Sequence, residues 1–131
     1  MINVKIDTKE KFTVFTPFDA EFPANMTDEL FELINSYQEK KVPHIILNLN
    51  HIRKLDTGMG EKLAALQHEF YENNSSFIIC EMQKSVEEQL DEQGLLELMN
   101  VTPTESEAWD ICQMEEIERE LMQDFDEPEN E

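Results

Sequence analysis

Glycine is scarce in this chain, with three residues in 131, and none of the three belongs to a phosphate-cradling loop of GxGxxG or GxxxxGKS/T spacing. Cysteine is scarcer still: Cys80 and Cys112 stand too far apart to be a CxxC redox pair or a zinc-ligand pair. They read as small apolar core residues of a reducing compartment. His44, His51 and His68 share no metal-ligand spacing, so no metal and no cofactor is expected. Basic residues are few, 10 Lys and Arg against 30 Asp and Glu, and the formal charge of −20 argues against nucleic acid and anionic membranes, whose binding is driven by cations. It permits steering toward a basic partner. No apolar run approaches the ~20 residues that span a bilayer, and the start, Met1 to Asp7, lacks the pattern of a signal peptide, so no membrane insertion and a cytoplasmic location are expected. The Asn-x-Ser/Thr triplets at Asn25, Asn73, Asn74 and Asn100 carry no weight without a secretion route.

What is present fits one domain, large enough to bury roughly 65–70% of the surface its unfolded form exposes. Residues 3–6 and 11–17 alternate with period two and read as a hairpin turning through residues 7–10. Pro17 and Pro23 bracket a loop ending at Thr27, after which Asp28 and Glu29 open a helix with Leu30, Leu33, Ile34 and Tyr37 at helical spacing. His44 to Leu49 reads as the buried central strand. A helix beginning near Asp56 places Met59, Leu63, Leu66 and Phe70 on one face. Ser76 to Cys80 is the next buried strand, and Gln83 to Gln93 the next helix, capped by Gly94. Leu98 to Val101 forms a short last strand, and Thr104-Glu105-Ser106-Glu107 has the spacing of a capping box that opens a long helix. Its inward positions are expected at Ala108, Ile111, Cys112, Met114 or Glu115, Ile117 and Leu121. The fold class is therefore α/β, a single domain over residues 1–123, with a mixed β-sheet of about four to five strands packed with about four helices. The acidic stretch 124–131 is expected to be a disordered tail.

The stretch from Ile45 to Gly60 is the informative one. A buried strand delivers the chain to a loop, and Asp56 is expected at the N-cap of the following helix, where its carboxylate would accept hydrogen bonds from free backbone donors. Thr57 then falls on the first turn with its hydroxyl near the surface. Gly58 and Gly60 each lower helix propensity by roughly 1 kcal/mol relative to alanine, which suggests close approach of another backbone or of a partner. Taken alone, Asp56-Thr57-Gly58 is a capped turn.

The same stretch resembles the signature of the STAS family, the anti-sigma factor antagonist type, in which a Leu-Asn-Leu or Leu-Asp-Leu strand leads after about seven residues into Asp-Ser-Ser-Gly-Leu at a helix start. Leu47-Asn48-Leu49 and Asp56-Thr57 carry the likeness, and Gln93 to Met99 and Thr104 to Ala108 agree with it, so that it covers residues 3–120. Gly58, Met59 and Gly60 stand where the family has Ser, Gly and Leu. In the earlier loop only Asp19 matches the family's Gly-x-Leu-Asp turn, and the loop after it is longer than usual.

The resemblance implies a bacterial, non-enzymatic module that binds a kinase-type anti-sigma factor and is released when that partner phosphorylates the residue after the motif's Asp. Carried over, Thr57 is the phosphoacceptor, and Asp19, Asp56, Thr57, Gly58, Met59 and Gly60 form the partner-binding surface, with no catalytic residue. An alternative is an unregulated STAS-like subunit of a larger transport or stress-signalling assembly. A phosphotransfer receiver with Asp56 as acceptor is disfavoured, because only Asp19 and Glu21, in a proline-bounded loop, follow the early strands to hold the magnesium it needs.

Overall fold

A computed structural model describes residues 4–9, 12–18, 21–22, 24–38, 44–55 and 58–126. Strands β1 (Val4–Thr8) and β2 (Phe12–Pro17) form the expected antiparallel hairpin, with Ile6 opposite Phe15. Strand β4 (His44–Asn48) lies at the centre of a five-stranded sheet ordered β1-β2-β4-β6-β7, where β6 is Phe77–Cys80 and β7 is Val101–Thr102. All pairings after the hairpin are parallel. The sheet is mixed, as expected, and every residue of β4 is buried.

Alternation along the strands sorts the core into two layers. Phe15, Ile45, Leu47, Phe77 and Ile79 face helices α1 (Ala24–Gln38), α2 (Met59–Glu72) and α3 (Lys84–Glu92) and meet Leu30, Ile34, Leu63, Phe70, Val86 and Leu90. Phe12, Val14, Ile46, Ile78 and Cys80 face helix α4 (Glu105–Asp126) and meet Ala108 and Cys112. Both thiols are buried and free, in keeping with a structural role. Burial is the main cause that pushes each up to about 12, with Glu105 and Glu81 adding to it at Cys80 and Glu115 at Cys112.

Two helices end by the same device. Leu95 N–H donates to Leu90 O at 3.0 Å across Gly94, whose φ of +74° is the left-handed value glycine adopts readily. Ser75 N–H donates to Phe70 O at 2.8 Å across Asn74, at φ +63°. The capping box holds in its first half: Thr104 Oγ1 accepts from Glu107 N–H at 3.2 Å, but it returns its own proton to the Glu107 carboxylate at 3.0 Å.

Four expectations need correction. Helix α1 starts at Ala24 rather than after Thr27, since Ala24 and Met26 are good helix formers and Thr27 is buried inside the helix. The last strand is Val101–Thr102, and Leu96–Leu98 coils into a short 3-10 turn instead. Two additional two-residue strands, β3 (Glu21–Phe22) and β5 (Lys54–Leu55), pair in parallel as a separate ribbon; two residues are too few to register as a period. On α4, Ala108 and Cys112 point inward and Glu115 is half-buried, whereas Met114, Ile117 and Leu121 are more than half exposed. At 22 residues α4 spans about 33 Å, against about 17 Å for the five residues of β4, so its later turns overshoot the sheet. The helix extends to Asp126, past the expected boundary at residue 123, and the rest of the expected tail, 127–131, lies outside the described residues.

Candidate functional site

The loop that leaves β4 is held by its own backbone and by one face of α3. Asn48 Oδ1 accepts from Asn50 N–H at 3.0 Å, and Ile52 N–H donates to Leu49 O at 3.0 Å, so the chain turns as soon as it clears the sheet. The Gln83 amide then donates to Asn50 O at 2.8 Å, and the Ser85 hydroxyl donates to Arg53 O at 2.8 Å. Gln89 pairs with both backbone polar groups of one residue: its Oε1 accepts from Leu55 N–H at 3.2 Å and its Nε2 donates to Leu55 O at 3.0 Å. Buried Ile52 and Leu55 pin the same loop from beneath.

A second segment lies against this loop. Phe22 of β3 is in register with Leu55 of β5, and the Phe18 ring stands 5.0 Å from His51. The residues flanking Asp19 on both sides are therefore tied to the loop that leads to Asp56. Phe18 and His51 are exposed, as are Arg53 and Lys54, which makes this a locally cationic and aromatic spot on a strongly acidic protein. Lys62, one turn into α2, reaches Asp28 of α1 at 3.1 Å.

Helix α2 begins at Met59 with Gly58 at the N-cap, two residues later than expected for a cap at Asp56. The reason is β5: pairing keeps the chain extended through Leu55. As a glycine, the N-cap residue brings no side-chain acceptor of its own to the first-turn N–H groups. Met59 is fully buried in the core. Gly60 is buried where α2 crosses α3; a Cβ there would stand 2.6 Å from Leu90 Cδ2 and 2.8 Å from Leu95 Cδ1. The glycine thus answers a close approach of side chains from α3 and the residues after it, rather than of another backbone. Of the six expected contact residues, Gly58 is half-exposed, Met59 and Gly60 support the site from below, and Asp19, Asp56 and Thr57 lie outside the described residues.

Sequence reasoning missed Gln83, Ser85, Gln89, Phe18 and His51. Polar residues on the outer side of a short helix look like solvation, and the contact between Phe18 and His51 joins segments far apart in sequence. The Thr13–Ile45 and Phe15–Leu47 pairing of β2 with β4, which brings those segments together, would have been the signal.

Residues 3–108 match the STAS domain family. The chain belongs to that family. The STAS fold is shared with solved structures at low identity. A Thermotoga maritima protein described as a putative anti-sigma factor antagonist is 14% identical with a TM-score of 0.74, the match covering 84% of this chain and 94% of that one. The anti-sigma factor antagonist SpoIIAA in its unphosphorylated form is 17% identical at a TM-score of 0.67, over 85% and 96%. The Bacillus cell fate determinant SpoIIAA in its phosphorylated form is 16% identical at 0.61, over 82% and 97%. No curated protein matches the chain. The loop held by α3 is the part of this STAS domain that corresponds to the segment singled out in the sequence.

Proposed function

We propose that this STAS domain binds a kinase-type anti-sigma factor through the surface formed by Asp19, Asp56, Thr57 and Gly58, with Phe18 and His51 at its rim, and that phosphorylation of Thr57 releases the partner. The observation that carries the reading is the start of α2 at Gly58, an N-cap residue with no side-chain acceptor of its own, directly after Thr57 in sequence and behind a loop fixed by Gln83, Ser85 and Gln89. A phosphate adds a charge of roughly −1.5 to −2. Beside a helix N-terminus that charge is tolerated, so the fold survives modification. A partner that packs against a neutral hydroxyl must then desolvate a dianion next to Asp56, and binding falls. Met59 and Gly60 contribute by packing rather than by contact, because their burial sets how α2 sits on α3. The neighbour SpoIIAA, known in unphosphorylated and phosphorylated forms, agrees with such a cycle. The test is capture of partners from cells of origin by tagged Thr57→Ala and Thr57→Glu variants. Retention by the alanine form and loss by the glutamate form supports the switch; equal retention by both removes it while leaving the fold.

A second reading, an unregulated subunit of a larger assembly, is favoured by the outward apolar row of Met114, Ile117 and Leu121 on α4. It requires a stable partner that copurifies with the chain and no phosphate on Thr57.

A further inference from the structure

Helix α4 has two faces. Cys112 and Arg119 turn toward the sheet: Cys112 packs in the core, and the Arg119 guanidinium donates to the Ser76 hydroxyl at 2.7 Å and lies 3.4 Å from the Glu115 carboxylate. Met114, Ile117 and Leu121 lie on the opposite side at spacings of three and four, and they are 53, 55 and 54% exposed. A stripe of large apolar side chains left in water on a strongly acidic chain marks an interaction surface. In heptad terms Met114, Ile117 and Leu121 hold positions a, d and a, the seam of a coiled coil, while Arg119 holds f, the position farthest from that seam. Positions e and g, which flank the seam, are Glu118 and Glu120, and both are exposed.

The flanking charges decide what can cover the stripe. A second copy of the chain would bring two more glutamates and no cation to the seam, because Arg119 is the one basic residue of α4 and is already held at the sheet. Each copy would also carry a formal charge of −20. An anionic membrane is repelled for the same reason. We propose that α4 docks an amphipathic helix of another protein, with apolar residues at its a and d positions and Lys or Arg at e and g. Ile117 also lines an open cavity of about 420 Å³ with Phe12 and Trp109, so an apolar recess lies beside the seam for a protruding side chain of the partner. This inference deepens the reading as a subunit of a larger assembly by giving the partner a chemistry, and Thr57 plays no part in it.

The probe is a fluorescein-labelled peptide of three Lys-Ile-Ala-Ala-Leu-Lys-Glu repeats, which puts Ile and Leu at a and d and Lys at e and g. It is titrated with the full chain and read by anisotropy. Saturable binding is expected, weakened on the order of tenfold or more for the Glu-Ile-Ala-Ala-Leu-Glu-Lys counterpart and for a lysine peptide with serine at a and d. The double variant Ile117→Ser/Leu121→Ser changes only exposed positions, so it should keep the wild-type circular dichroism and weaken the lysine peptide by a similar factor. Glu118→Lys/Glu120→Lys should reverse the preference toward the glutamate peptide. No saturable binding, equal binding of the lysine and glutamate peptides, or unchanged affinity in Ile117→Ser/Leu121→Ser overturns the proposal. So does self-association in sedimentation that the same variant abolishes, which would assign the stripe to a second copy. A natural partner captured equally by wild type and by Ile117→Ser/Leu121→Ser would keep the subunit reading and refute this surface.

Discussion

Replacing Gln89 with alanine removes both hydrogen bonds that α3 makes to the Leu55 backbone, 3.2 Å from the amide and 3.0 Å to the carbonyl, and leaves those two groups with no side-chain partner from α3. Each neutral hydrogen bond contributes about 0.5–1.5 kcal/mol net, so the pair is worth about 1–3 kcal/mol. Leu55 is buried at 2% exposure, which limits how well water can replace the lost partner and places the expected loss in the upper half of that range. Gln89→Glu is the sharper variant. It keeps an acceptor for the amide but sets a carboxylate oxygen against the Leu55 carbonyl, so it should destabilise at least as much as alanine although it is nearly isosteric. Urea unfolding measures the global change, and hydrogen exchange at Leu55 measures the local one, with protection expected to fall more there than in β4 or β6. A Gln89→Ala stability within about 0.5 kcal/mol of wild type, with Leu55 exchange unchanged, would refute the idea that α3 fixes this loop.

Three other outcomes follow from the packing and the titrating groups. At Gly60, alanine gains about 1 kcal/mol of helix propensity and meets the flexible ends of Leu90, Leu95 and Gln93, so it should be nearly neutral, whereas Gly60→Val should cost about 1–3 kcal/mol by overpacking α2 against α3 in urea unfolding. His44 has its pKa lowered by burial despite Glu116 and Glu115, with Arg119 pushing the same way as burial; the unfolded chain therefore binds the proton more readily. Its contribution is fully present above the ordinary histidine value of 6.5 and is lost as pH falls from there toward the folded value, so the urea midpoint should drop between pH 7.5 and 5.5 and drop less in His44→Asn. With both thiols pushed up to about 12, neither Cys80 nor Cys112 should be alkylated by iodoacetamide at pH 8 in the native chain, while both should react in denaturant; mass spectrometry reads the result.

The sheet and its two faces were legible because β4 and β6 are continuous apolar runs and β2 alternates, and because Met59, Leu63, Leu66 and Phe70 share one face of α2. The long helix was legible at its start, where Thr104 and Glu107 interact, and misread at its end. Periodicity assigns an inward face without indicating where the sheet stops, and so placed Ile117 and Leu121 inside. The ribbon of β3 with β5 was invisible because two-residue strands have no period, and that ribbon moved the start of α2 from Asp56 to Met59. The position of the candidate site was thus readable to within one turn. Its supports were not, since Gln83, Ser85 and Gln89 act on backbone more than 30 residues away.

The central claim is that Thr57 is a switch for a protein partner. It is tested most directly by incubating the chain with its captured partner and ATP, mapping the phosphate by mass spectrometry, and measuring affinity before and after transfer. The expected result is a single phosphate on Thr57, none on Thr57→Ala, and a complex that dissociates as the phosphate appears. A phosphate elsewhere, or a complex of unchanged affinity with Thr57 fully modified, would contradict it.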